Sequence, residues 1–142
     1  MKSVENLNTG GTSRKIARNV FIGLAGFNGL IAVLLGGLTL VNMQGVFEGF
    51  GITFTRELTP IALSAAGLLI LVGVLVFISI YWLLQGKIEG ILVPVAHAVF
   101  LFVLGFIALA WLGSTDILFV DSIRGFLAMV AGYFAYQEMR QG

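Results

Sequence analysis

Few side chains in this sequence of 142 residues could carry out chemistry. His97 is the only histidine, Asp121 and Arg124 stand three residues apart, and cysteine is absent. The lack of cysteine rules out thiolate metal ligands, disulfides and thiol redox reactions. A haem or metal centre needs more than one strong ligand, and a single histidine does not supply them. We therefore expect no cofactor, and a net charge of +1 gives no indication of nucleic-acid binding.

Known catalytic motifs are also absent from the sequence. The sequence has no Walker loop, no zinc-protease motif, no dinucleotide loop after a strand, and no histidine and aspartate arranged around a serine. We expect a protein that is not an enzyme by itself, although it could still serve a larger redox complex.

The charged residues predict one cluster. Residues three apart on a helix are neighbours, so Asp121 and Arg124 can pair. Asp121 also begins a helical face formed by small residues, and we place it at the outer end of that face. Arg56 and Glu57 are predicted at the same outer level. Because a lone charge in a membrane is costly, these four residues predict either a structural clip between two helices or a ligand or lipid-headgroup site.

Two uncharged polar residues interrupt apolar segments. Asn28 lies in the middle of one segment and His97 lies one turn inside another. Such groups normally form hydrogen bonds across helices, and Ser79 or Asn28 is the expected partner of His97. The alternative is a pH-sensitive or quinone-binding role for His97. Asn28 is the better candidate for a functional group if the helices enclose a cavity.

Composition predicts the elements that position these residues. Hydrophobic residues make up 58% of the chain and charged residues 11%, a balance that one small water-soluble core could not bury. Membrane helices need about 20 consecutive apolar residues. The sequence predicts four of them, at about residues 20–41, 60–84, 91–112 and 117–136, within a single domain over 16–142. A polar, flexible tail is predicted for residues 1–15, with Ser13 as the N-cap of a helix from Arg14.

Small residues at helical spacing occur in all four predicted spans. They allow helix backbones to approach closely in lipid, which predicts an all-α, antiparallel four-helix bundle. The stripes are Ala25, Gly29, Ala32 and Gly36; Ala62, Ala66 and Gly73; Ala98, Gly105 and Ala108; and Gly125, Ala128, Gly132 and Ala135. We also expect an interfacial loop after the first span and a helix with Thr59 as its N-cap and Pro60 at its first position. A tight turn at residues 85–90 should make the second and third spans antiparallel neighbours.

The distribution of basic residues predicts the orientation. Six lysines and arginines fall on the side of the N-terminus and two on the other side, which favours a cytoplasmic N-terminus and C-terminus. The six are Lys2, Arg14, Lys15, Arg18, Lys87 and Arg140, and the two are Arg56 and Arg124.

The layout resembles the DoxX-like superfamily of small four-helix bacterial membrane proteins, and within it the DUF4345-type proteins. The similarity covers about residues 16–136 and includes the charged opening of the second span in FTRELTPIALSAAGLLILVG and the closing RGFLAMVAGYFA. The resemblance implies a bacterial cytoplasmic membrane protein, with Arg56 and Glu57 at the polar start of the second helix. Some DoxX relatives are linked to quinone-dependent oxidation and others to membrane assembly, so the resemblance does not select a function.

Two hypotheses follow. The first is a scaffold or accessory subunit of a membrane complex that contacts lipids and either a membrane-protein partner or further copies of itself. The second is a binding protein for a quinone or lipid-like molecule whose polar end meets Arg56, Glu57, Asp121 and Arg124. Pairing between Asp121 and Arg124 that fills the bundle mouth would favour the scaffold, and a cavity from them toward Asn28 would favour binding. A channel is a weaker third hypothesis that would need an oligomer.

Overall fold

The architecture is all-helical, as predicted. The computed structural model describes residues 7–112 and 116–141, and it describes side chains at 16–107, 110 and 120–141. Within these residues the α-helices are α1 (Leu7–Val41), α2 (Met43–Gly49), α3 (Thr59–Leu84), α4 (Leu92–Leu112) and α5 (Asp116–Gln141). Short 3₁₀ turns at Arg56–Leu58 and Ile88–Ile91 precede α3 and α4.

Three segments are long and apolar enough to cross a membrane. They are Ile16–Val41, Arg56–Leu84 and Ile88–Ile107, and they coincide with the first three predicted spans. The fourth predicted span, residues 117–136, falls within α5, which is a 26-residue helix but is not among the three segments found in the described residues. The four-span topology and the orientation therefore stay predictions.

Several helix boundaries differ from those predicted. The first helix begins at Leu7 instead of Arg14, so Ser13 lies inside the helix and is not its cap. Extending an existing helix costs far less than starting one, and a long apolar segment can therefore carry polar residues into the helix. Residues 1–6 lie outside the described part. At the start of α3, Thr59 is the first helical residue and Leu58 occupies the cap position.

The segment after α1 is more ordered than the predicted loop. It contains α2, whose first turn is capped by Asn42: its Oδ1 accepts a hydrogen bond from the Gly45 N–H at 2.9 Å. Phe47 and Phe54 then meet edge to face, with ring centroids 5.4 Å apart. An aromatic contact thus stabilises the segment that connects α1 to α3.

The long helices pack in the order α3, α1, α5, α4. Helix α1 lies against both α3 and α5, and α4 lies against α5. Helices α3 and α4, predicted to be antiparallel neighbours, contact each other directly only to a small extent, and the 3₁₀ turn Ile88–Ile91 makes more of the contact with α3. In that turn Gly90 lies so near α3 that a Cβ would be 2.5 Å from the Ser79 carbonyl oxygen.

The small-residue stripes are buried, as predicted. Every member with a described side chain is buried, and only Ala108 falls outside the described side chains. A Cβ on Gly73 would be 2.8 Å from the carbonyl oxygen of Gly29, and one on Gly125 would be 2.5 Å from that of Ala98. These contacts bring the backbones of α1 and α3, and of α4 and α5, close together.

Candidate intramembrane polar site

Helices α1 and α5 run antiparallel, and three contacts fix their register. The backbone N–H of Arg18 donates to Glu138 Oε2 at 3.2 Å. Gly132 packs on the ring of Phe21. Arg124 Nη1 donates to Asn28 Oδ1 at 3.3 Å. The first turns of the apolar part of α1 therefore lie beside the last turns of α5, and both ends of the described chain are on one side of the molecule.

This register places Arg124 deeper than the sequence predicted. Asn28 lies 12 residues after Ile16 and 13 before Val41, the ends of the first apolar segment (28 − 16 and 41 − 28). Arg124 meets Asn28 at this midpoint, and Asp121 is about one turn further toward the opposite end. Both groups were predicted at the outer end of the helices, whereas Arg124 contacts α1 at the midpoint of its apolar segment. Helical periodicity gave their common face, but it carries no information about depth.

An ion pair and an aromatic ring surround the Arg124 guanidinium. Nη2 of Arg124 forms a salt bridge with Asp121 Oδ1, and the two side chains are 16% and 18% exposed. The guanidinium carbon lies 5.9 Å from the ring centroid of Phe27, within the range of a cation–π contact. Arg124 thus binds a carboxylate on its own helix and an amide on α1, with an aromatic face beside both.

His97 is buried on α4, one residue before Ala98. Helices α4 and α5 approach closely where Gly125 meets Ala98. These two residues directly follow Arg124 and His97 in the chain. The expected bond from His97 to Asn28 or Ser79 is not among the hydrogen bonds of the described residues, in which Asn28 accepts from Arg124 instead.

The structure does not bring Arg56 and Glu57 to this site. Both are exposed in the turn before α3, and among the described residues only Asp121 forms a salt bridge with Arg124. On α3 the level of Asn28 is marked by Val76, which packs on Gly29. Arg56 is 20 residues from Val76 (76 − 56), roughly 30 Å at the helical rise of about 1.5 Å per residue. In the described residues Arg124 is therefore linked to Asp121 and Asn28, and not to Arg56 and Glu57.

A second polar contact between α1 and α5 was not predicted from the sequence. Glu138 accepts from the backbone of Arg18, while Arg18 Nε and Glu138 Oε1 are buried without a hydrogen-bond partner in the described part of the chain. Helical spacing could have indicated this contact, because residues three or seven apart lie on the same face of a helix. Glu138 follows Ala135 by three residues and Arg18 precedes Ala25 by seven, so both lie on the faces formed by the small residues. Ser122 was also missed; its hydroxyl donates to the Phe102 carbonyl at 3.2 Å and links α5 to α4.

These features define an all-helical protein with three helices apolar enough to cross a membrane and with polar contacts that link α5 to α1 and to α4. Within the described residues no group of histidine and carboxylate side chains could hold a metal ion. No family model, curated protein or solved structure matches the chain. The resemblance to DoxX-like proteins thus stays a prediction.

Proposed function

We propose that the protein is a non-enzymatic scaffold or accessory subunit of a membrane complex. The proposal rests on the two contacts of the Arg124 guanidinium, which forms a salt bridge with Asp121 on α5 and donates a hydrogen bond to Asn28 on α1. An ion pair with a further hydrogen bond is the arrangement that makes charge tolerable inside a membrane. Its contacts join two helices that are far apart in sequence, as expected of a structural clip.

The proposal includes a four-span topology with α5 as the last span and with both termini in the cytoplasm of a bacterial cell. The antiparallel contact of α5 with α1 along the first apolar segment supports this arrangement, since α5 then shares the depth of a helix that is itself long enough to cross. Pairing of Asp121 with Arg124 lowers the cost of placing both in the bilayer.

The outer faces of all four long helices are apolar and exposed, and these faces are where lipid or a partner protein would bind. Leu34, Leu68, Phe106 and Phe134 represent α1, α3, α4 and α5, and each is more than half exposed. A partner would cover part of this perimeter, whereas lipid alone would cover all of it.

Site-specific photo-crosslinking in native membranes tests the proposal. A photoreactive phenylalanine analogue is placed singly at Leu34, Leu68, Phe106 and Phe134. A scaffold should give a discrete protein adduct, either with another protein or with a second copy, at one or two positions and lipid adducts at the others. The positions that crosslink only to lipid are the controls for the positions that crosslink to protein. Lipid adducts alone at all four positions would contradict the proposal.

The alternative, a binding protein for a quinone or lipid-like molecule, was predicted to use Arg56 and Glu57 with the α5 pair. Those residues are not near Arg124. A binding role would have to use the deeper residues around Arg124 instead.

A further inference from the structure

Arg124 has more hydrogen-bond donors than its protein partners use. A guanidinium carries five N–H groups. In the described part of the chain one is donated to Asn28 Oδ1 and one to Asp121 Oδ1, which leaves three. Water cannot satisfy them in a hydrocarbon environment, and an unsatisfied donor there is unfavourable. The site therefore favours a ligand that brings an acceptor oxygen.

The charge of the site selects the kind of acceptor. Asp121 already neutralises Arg124 through the salt bridge. A carboxylate or phosphate would add an uncompensated negative charge within the bilayer, which is strongly unfavourable. A carbonyl oxygen accepts hydrogen bonds without adding charge. The ligand chemistry that fits is thus a neutral, lipid-soluble molecule with a carbonyl group.

Access to Arg124 is available from the side of the bundle. Phe27, whose ring contacts the guanidinium, is itself 54% exposed. On α5, Ile123 and Leu127, one residue before and three residues after Arg124, are also exposed. An apolar chain could lie against these residues while its carbonyl meets Arg124, which is partly exposed there.

We propose that Arg124 binds the carbonyl oxygen of a neutral lipid-soluble molecule that reaches it from the bilayer between α1 and α5, and that Phe27 controls access. This role rests on the proposed topology, in which α5 crosses the membrane, but it needs no partner protein. Ketone binding by Arg124 and crosslinking to a partner protein are therefore tested separately.

Carbonyl NMR of a defined probe tests the proposal. The full-length protein is placed in nanodiscs of ether-linked phosphatidylcholine, whose lipids carry no carbonyl group. The probe is a methyl ketone with a saturated heptadecyl chain, labelled with carbon-13 at the carbonyl. A hydrogen bond to the ketone moves this resonance to higher chemical shift, well away from protein carbonyls. We expect a saturable shifted signal at one ketone per protein.

Three variants identify the site. The double variant Asp121→Asn/Arg124→Gln keeps the cluster neutral, so that it folds, and it should lose the shifted signal. Phe27→Ala should bring about tenfold faster exchange between free and bound ketone, since most changes in binding appear in the dissociation rate. Phe100→Ala removes another exposed phenylalanine, 57% exposed on α4, and should leave exchange unchanged.

Other outcomes would overturn the proposal. These are no shifted signal with the wild-type protein, the same signal with the neutral double variant, or equal exchange rates in Phe27→Ala and Phe100→Ala. Palmitate labelled at its carboxylate is the charged comparison and should show no saturable binding. Palmitate bound in place of the ketone would show that the site takes anions, against the charge argument.

Discussion

Replacing Arg124 with leucine should lower the free energy of unfolding by about 3–5 kcal/mol, the usual cost of removing one partner of a buried ion pair. The loss is large because Asp121, only 18% exposed, would keep its charge without a cation beside it. Asn28 would also lose its donor from α5. The measurement is reversible unfolding of the protein in bicelles, followed by steric trapping or by helical circular dichroism.

Two comparison variants separate this effect from a general loss of charge. Arg56→Leu removes an exposed arginine that lies far from the site, and it should change stability by less than about 0.5 kcal/mol, as surface substitutions do. The double variant Asp121→Leu/Arg124→Leu leaves no unpaired charge, so it should be more stable than Arg124→Leu alone. Equal losses in Arg56→Leu and Arg124→Leu would show that the ion pair has no structural role.

Gly125→Ala should destabilise the protein by about 1–3 kcal/mol, in the range of overpacked cores. The new Cβ would lie 2.5 Å from the Ala98 carbonyl oxygen and 2.8 Å from the Phe102 backbone nitrogen. Backbone atoms of α4 cannot rotate away as a flexible side chain can, so α4 and α5 would have to separate. Unfolding under the conditions used for Arg124 would measure the change.

Gly67→Ala is the matched control for Gly125→Ala. Gly67 is also in the interior of a long helix, but a Cβ there would meet no atom within 4 Å other than its chain neighbours and the adjacent backbone of its own helix. Alanine restricts the unfolded chain and suits a helix better than glycine, so stability should rise by about 0.5–1 kcal/mol. Opposite signs for the two substitutions are expected. The same sign would indicate that helix propensity, and not close packing, determines the effect of these glycines.

The sequence predicted well those features that depend on local spacing. The all-helical class, the limits of α3 and α4 to within a few residues, and the buried faces of the long helices all follow from runs and stripes of residues along one helix. The pairing of Asp121 with Arg124 was likewise predicted from a separation of three residues. Each of these depends on residues within a few turns of each other.

Features that depend on how one helix lies against another could not be predicted in the same way. Asn28 and Arg124 are 96 residues apart, and no local pattern indicates that their helices touch at these positions. Grouping Arg56 and Glu57 with Asp121 assumed that the ends of all apolar segments lie at one level. The observed register of α1 with α5 disagrees with that assumption, because Arg124 contacts the middle of the first apolar segment.

In a bilayer, Arg124 should lie at the depth of the hydrocarbon, bound to Asp121 and Asn28. Solid-state NMR in bilayers can test it by measuring dipolar couplings between the nitrogen-15-labelled guanidinium of Arg124 and three sites. These are the side-chain carbonyl carbons of Asp121 and Asn28 and the phosphorus of the lipid phosphates. We predict strong coupling to both carbons and none to phosphorus. Coupling to phosphorus without coupling to Asn28 would show that Arg124 reaches the headgroups, and it would contradict the polar site described above.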